Sequence, residues 1–217
     1  MTLTDTSDLT ATPTDTETTT PRPRHRAFAS FDVAPAELST FLANMLTVAS
    51  KDRVRPVLCS VNITVADGSL IGEATDSYML IRQEVTVSHE GSGTFLVSRE
   101  ALEAVVKMVK GYKGSTVSVR FAPDLLTVST VDAEASWPIR DLGDFPNTAQ
   151  LWPTGDPVAT PALGLGSSIM AKLSKIVDPN AGKGHEVARF EFFGALKPCR
   201  ARFGESITVL VMPARIS

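Results

Sequence analysis

The sequence predicts an α+β fold built from three copies of one unit, each a strand, a helix and three further strands (βαβββ). Three observations carry that prediction. Apolar residues recur at helical spacing in three separate stretches, period-two alternation follows each stretch, and the cycle returns about every 50 to 60 residues.

Residues 1–26 precede the repeats. Met1–Thr20 is dominated by threonine and aspartate, and Pro21-Arg-Pro-Arg-His-Arg26 follows. Such a segment cannot bury enough surface to offset its ordering entropy, so a disordered tail is expected. Its arginines either touch phosphate or, the preferred reading, help to solubilise the chain.

The first unit opens with a strand over Phe28–Val33. Pro35 suits the first turn of a helix whose Leu38, Phe41, Leu42, Met45 and Leu46 share one face. After the basic link Lys51-Asp-Arg-Val-Arg55, Val61, Ile63 and Val65 alternate, Asp67-Gly68 supplies a hairpin turn and Ser69–Ala74 returns. Met79–Val87 completes the unit. The second unit begins at Thr94: Phe95–Val97 is a strand, Ser98 can cap a helix, and Leu102, Val105, Val106 and Val109 form its buried stripe. Gly111–Gly114 ends that helix. Val117, Val119 and Phe121 alternate, Pro123-Asp124 turns, Leu126–Thr130 continues the sheet, and Ser136–Asp141 closes it.

These two units are expected to make one domain over 27–143, followed by a linker over 144–160. The third unit, 161–217, reads as a weak strand at Ala162–Gly166, a helix from Ser167 or Ser168 with Ile169, Leu173 and Ile176 inward, and strands at Val187–Phe193, Pro198–Phe203 and Ile207–Met212.

Of the 217 residues 43% are hydrophobic and 21% charged, which suffices for a real core. No apolar run approaches the roughly 20 residues that cross a bilayer, and the N-terminus lacks a basic-then-apolar signal. No membrane association is expected, and the chain reads as cytoplasmic. Two cysteines, Cys59 and Cys199, neither staple a secreted scaffold nor complete a zinc site, so no metal or other cofactor is expected. A net charge of −3 argues against a generally basic coat but leaves room for a local basic face.

Enzyme signatures are missing. His25, His89 and His185 fall in expected tail or loop segments without spaced metal partners. There is no glycine-rich phosphate loop and no Gly-x-Ser-x-Gly elbow. Glu73 and Asp76 read as strand-end polar residues rather than paired catalytic carboxylates, and Cys59 as a small core residue. The lysines say more. The second helix carries Lys107 and Lys110, surface neighbours, with Lys113 beyond, and the third carries Lys172 and Lys175 at the same spacing. One reading is a solvated face that complements the helix dipole. The other is a segregated surface for phosphates, with Lys51 and Arg53 adjoining the first helix.

These features are similar to a known family. The repeated unit resembles the half-domain of DNA sliding clamps, and its details resemble the bacterial β clamp of DNA polymerase III. The matching stretches are Arg55-Pro-Val-Leu58, Ala74-Thr-Asp-Ser-Tyr-Met-Leu80, Phe95-Leu-Val-Ser-Arg-Glu-Ala-Leu102, the link Asp144-Phe-Pro-Asn147 with Leu151-Trp-Pro153, and the C-terminal Leu210-Val-Met-Pro-Ala-Arg-Ile216. They keep the family's order. The resemblance implies the DNA-clamp fold, with 27–143 nearest the family's second domain and 161–217 the closing half of its third. The half between them is absent.

The resemblance further implies an accessory replication factor without chemistry of its own, acting with the nucleoid. Several copies would form a homo-oligomeric ring around double-stranded DNA, with a DNA polymerase, other clamp-binding peptides and a clamp loader as partners. Lys51, Arg53, Lys107, Lys110, Lys113, Lys172 and Lys175 would meet the phosphate backbone without reading bases. A peptide pocket would use Leu58, Thr75, Ser77, Tyr78, Leu80, Pro146, Leu151, Leu210, Met212 and Pro213. Tyr78 and Met79 depart from the glycine-containing, smaller-then-basic pattern common there. The alternative is a clamp-like regulator or decoy that captures peptides and does not encircle DNA.

Overall fold

Period-two alternation produces the strands, and among the described residues the computed structural model joins eleven of them edge to edge. It describes residues 27–160, 162–181 and 187–215. The expected tail, 1–26, lies outside the described residues, as do His25 and His185. In chain order the elements are β1 (Phe28–Val33), α1 (Pro35–Val48), β2 (Ser60–Ala66), β3 (Ser69–Thr75), β4 (Met79–Thr86), β5 (His89–Ser98), α2 (Arg99–Val109), β6 (Val117–Ala122), β7 (Leu125–Ser129), β8 (Glu134–Pro138), α3 (Ser167–Leu173), β9 (Ala188–Glu191), β10 (Cys199–Phe203) and β11 (Ile207–Val211). Across the sheet the order is β8-β7-β6-β1-β5-β2-β3-β4-β11-β10-β9, antiparallel at every junction.

That order interleaves the first two units. β1 of the first pairs with β6 of the second, and β5 of the second pairs with β2 of the first. Neither unit has a complete sheet alone, so the two share one core. α1 and α2 pack side by side over it, burying Leu38, Phe41, Leu42 and Met45 from one helix and Leu102, Val105 and Val109 from the other. Each such side chain contributes roughly 1.5–3 kcal/mol on burial. Gly72 lets α1 approach β3, because a Cβ there would lie 2.5 Å from Phe41 Cζ. Two helix ends are satisfied by side chains: Ser98 Oγ accepts from Ala101 N–H to cap α2, and the Arg99 guanidinium donates to Leu46 and Ala49 carbonyls at 2.8 Å, closing the C-terminus of α1.

The third unit continues the same sheet. β11 pairs with β4 through five residues, with Leu80 facing Leu210 and Ile81 facing Val209. On the helix side Asn44 of α1, only 1% exposed, clasps the segment after α3. Its Oδ1 accepts from Val177 N–H at 3.0 Å, and its Nδ2 donates to Val177 O at 2.8 Å and Gln83 Oε1 at 3.0 Å.

Several elements differ from the sequence expectation. The last strand of the second unit starts at Glu134 and stops at Pro138, because Thr130 N–H bonds to Ala133 O and closes the turn before it. Ala162–Gly166, where two glycines weaken strand preference, makes only an isolated bridge between Gly164 and Ala214. His89 is not in a loop. It opens β5, and its Nε2 accepts from Gly68 N–H at 3.0 Å, bracing the β2–β3 hairpin.

Replacing Asn44 with alanine removes three hydrogen bonds, two to the Val177 backbone and one to Gln83 Oε1, each worth about 0.5–1.5 kcal/mol. Urea unfolding of Asn44→Ala should show a loss of at least about 2 kcal/mol; a loss within experimental error contradicts the clasp.

Candidate nucleic-acid and peptide-docking surfaces

The helices share one side of the sheet. α1 packs on β3 and β4, α2 packs on α1, and the end of the α3 segment meets α1 at Asn44. The basic residues predicted for phosphate contact fall in three groups, at the end of α2, in the loop after α1, and on and after α3. Lys107 and Lys113 are exposed, Lys107 in the last turn of α2 and Lys113 just past it. Lys110 is exposed too, but it is the residue that ends α2, with extended backbone, rather than a member of the helix. Lys51 and Arg53 are exposed in the loop after α1, and Arg53 lies 3.8 Å from Glu100.

The third helix is shorter than its lysine spacing suggests. It ends at Leu173, so Lys175 stands beyond it, exposed. Lys172 is not free: its Nζ lies 2.5 Å from Asp76 Oδ2, linking α3 to the β3–β4 turn. Asp76 also accepts from Tyr78 and Met79 N–H groups and so sets that turn. Lys172 and Asp76 thus fasten the third unit to the first, a role for both that the sequence pattern does not reveal.

On the opposite face, strand alternation puts Thr75, Leu80 and Leu210 in one cross-strand row, with Tyr78 and Met212 continuing it. Met212 N–H donates to Tyr78 O at 2.9 Å. Leu80 and Leu210 are each 4% exposed, whereas Tyr78 and Met212 are 64% and 43% exposed. Ser77 accepts from Arg55 Nη1 at 3.0 Å, and Leu58 is buried in a 3-10 turn, Pro56–Cys59. Leu151 is half exposed and Pro213 intermediate. Pro146 stands apart from this row. It lines a cavity of about 650 Å³ between the linker and the sheet, with Glu73, Arg82, Leu96, Phe145 and Trp152.

A further cluster lies at the far edge. Glu191 of β9, 8% exposed, is ringed by Arg200, which donates to it, by Arg202 at 3.4 Å and by Arg189 at 3.8 Å. Arg200 also stacks 5.1 Å from the centre of the Phe193 ring. Burial pushes the Glu191 carboxyl up, but the Arg200 hydrogen bond and the charges of Arg200, Arg202 and Arg189 outweigh it and hold the carboxyl below its ordinary value. The signal for this cluster is visible in retrospect as Arg189-x-Glu191 and Arg200-x-Arg202, period-two pairs that share a sheet face. Among the described residues no three His, Cys, Asp or Glu side chains group as a metal site, and no helix is long and apolar enough to cross a membrane.

The sequence profile described as the N-terminal domain of the DNA polymerase III beta subunit matches residues 29–149. The chain belongs to the DNA polymerase III beta subunit family. This is the sliding-clamp family of replication processivity factors. The matched profile is that of the family's first domain, not the second that the motifs suggested. The fold is also that of solved relatives. The beta subunit from Thermotoga maritima superposes with a TM-score of 0.71 at 16% identity, covering 93% of this chain and 69% of that one. The sliding clamp from Bacillus subtilis gives 0.73 at 15%, covering 87% and 64%. The clamp from Pseudomonas aeruginosa bound to griselimycin gives 0.69 at 14%, covering 86% and 65%. The chain therefore spans about two thirds of these clamps. No curated protein matches the sequence.

The depressed Glu191 carboxyl makes a pH prediction. Its contribution to stability is complete above the ordinary value of 4.5 and is lost as pH falls through its lower folded value. Wild type should therefore lose its advantage over Glu191→Gln as unfolding is followed from about pH 7 to pH 3. A difference that stays constant over that range contradicts the arginine ring as its source.

Proposed function

We propose that this chain is a shortened sliding clamp: copies joined into a ring hold duplex DNA against the helix side and tether a DNA polymerase on the other face. Family membership makes clamp function the first reading. The observation that carries it is that Lys107, Lys110, Lys113 and Lys175 all stand exposed at or just past the ends of α2 and α3, in a chain of net charge −3. Lysine-to-phosphate contact is independent of sequence and weak enough to permit sliding. Lys172 is left out of that set, because Asp76 already neutralises it.

For polymerase tethering, Leu80 and Leu210 supply an apolar floor at the seam while exposed Tyr78 and Met212 supply a rim. The thioether of Met212 can adapt to different partner side chains. A short peptide from a polymerase or a clamp loader would seat there. A second reading, a peptide-capturing regulator or decoy that does not encircle DNA, is favoured by one fact: the chain spans only about two thirds of the clamps it resembles. Peptide binding by a single copy without DNA retention would favour that reading.

Changing Lys107, Lys110 and Lys113 together to glutamate should weaken duplex binding at least about tenfold at low salt and flatten its dependence on salt. Unchanged binding by the folded variant removes the helix side as the DNA face. Tyr78→Ala with Met212→Ala should weaken a polymerase-tail peptide by a similar factor, equivalent to about 1.4 kcal/mol, without changing the thermal midpoint. Intact peptide affinity removes the seam as the dock.

A further inference from the structure

The face that carries the seam is ordered in cross-strand rows. Leu80, Leu210 and Arg200 stand opposite one another in one row. The next row runs Glu73, Arg82, Thr208, Arg202 and Arg189 across β3, β4, β11, β10 and β9. We infer that the gap over Thr208, between Arg82 and Arg202, is an acid-recognition subsite. It takes the carboxylate of a Glu or Asp that a docking peptide carries near its apolar anchor. This deepens the tethering reading above and rests on the seam being the dock.

Strand geometry builds the gap. Gln83 bonds to Asn44 on the helix side, so Arg82 and its row partners point to the other face, that of Leu80 and Leu210. Thr208 sits one strand from each arginine. With strands about 4.8 Å apart, the two arginine Cα atoms flank a space of about 10 Å that has only a threonine at its floor. A carboxylate entering it meets paired N–H donors from a guanidinium on either side. The apolar floor lies one row away, about 6.7 Å along the strand, and Tyr78 and Met212 lie one row further. An extended peptide rises about 3.3 Å per residue, so an acid about two to four residues from its anchor reaches Thr208.

Charge identifies the occupant. Arg82, Arg189, Arg200 and Arg202 face only Glu73 and Glu191, and both carboxylates are already shared. Arg200 donates to Glu191 Oε2, and the buried Arg202 Nε, 3.4 Å from the same oxygen, is left without a hydrogen bond. Glu73 Oε1 lies 3.5 Å from Arg82 and also accepts from Thr148 Oγ1 at 3.3 Å. The side chains of Arg82 and Arg202 remain 45% and 40% exposed, so each keeps donors open to a partner. Phosphate would be drawn to the same charges. The adjoining apolar floor and a gap the width of one carboxylate favour a peptide.

Two labelled synthetic peptides test the subsite. One carries an aromatic anchor with glutamates at that spacing, the other glutamines at the same positions. Fluorescence anisotropy at low salt should show wild type binding the glutamate peptide at least about tenfold more tightly, a preference that shrinks as salt rises. Arg82→Gln with Arg202→Gln should bring the two affinities together. Because Arg202 also lies against Glu191, Thr208→Glu gives an independent check. It sets a carboxylate in the gap with both arginines kept, and should abolish the preference as well. Thermal unfolding checks that each variant is folded at the assay temperature. Equal binding of the two peptides by wild type removes the subsite alone, as does a preference that survives in both folded variants. Survival of the preference with loss of duplex-DNA binding reassigns the arginines to phosphate and equally overturns the inference. Binding of neither peptide removes the seam as the dock, and the subsite with it.

Discussion

Five residue pairs between β4 and β11 make the third unit part of the first domain's sheet rather than a separate appendage. Everything proposed about function depends on that pairing. It sets the helix side of the third unit level with α1, so that Lys175 falls on the same side as Lys107. It also puts Leu80 beside Leu210 and leaves Tyr78 and Met212 exposed above them. The pairing is reinforced on the helix side by Asn44 and at the turn by Asp76 with Lys172. A buried amide and a partly buried ion pair are both costly if one partner is lost, which ties the two units to one relative position.

Most of the fold is legible in the sequence because its apolar spacing is clean. Val61, Ile63 and Val65 alternate and become β2; Leu38, Phe41, Leu42 and Met45 share a helix face and become the buried side of α1. Elements become illegible where local preference is weak or where a tertiary partner decides. Gly164 and Gly166 blur the segment at 162–166, and α3 stops at Leu173 although its apolar spacing runs on to Ile176. His89 looks like a loop residue until its hydrogen bond to Gly68 is seen.

The site divides in the same way. Exposed lysines on helix ends follow from spacing alone, and the structure leaves Lys107, Lys110 and Lys113 exposed. Lys172 reads identically in sequence, but Asp76 lies 96 positions earlier and no local pattern connects the two. Leu80 and Met212 both belong to the seam, yet burial separates them, since strand pairing covers one and leaves the other open. The clasp of Asn44 on Val177 spans 133 positions and is equally invisible to periodicity.

Topological retention distinguishes a clamp from a protein that merely adheres to phosphate. Linear duplex with free ends admits a ring by threading, and blocking both ends with bound streptavidin then traps it. On gel filtration at high salt, which screens the lysine contacts, the protein should travel with end-blocked DNA and separate from DNA whose ends remain free. Equal behaviour on the two substrates, whether retained on both or lost from both, contradicts encirclement.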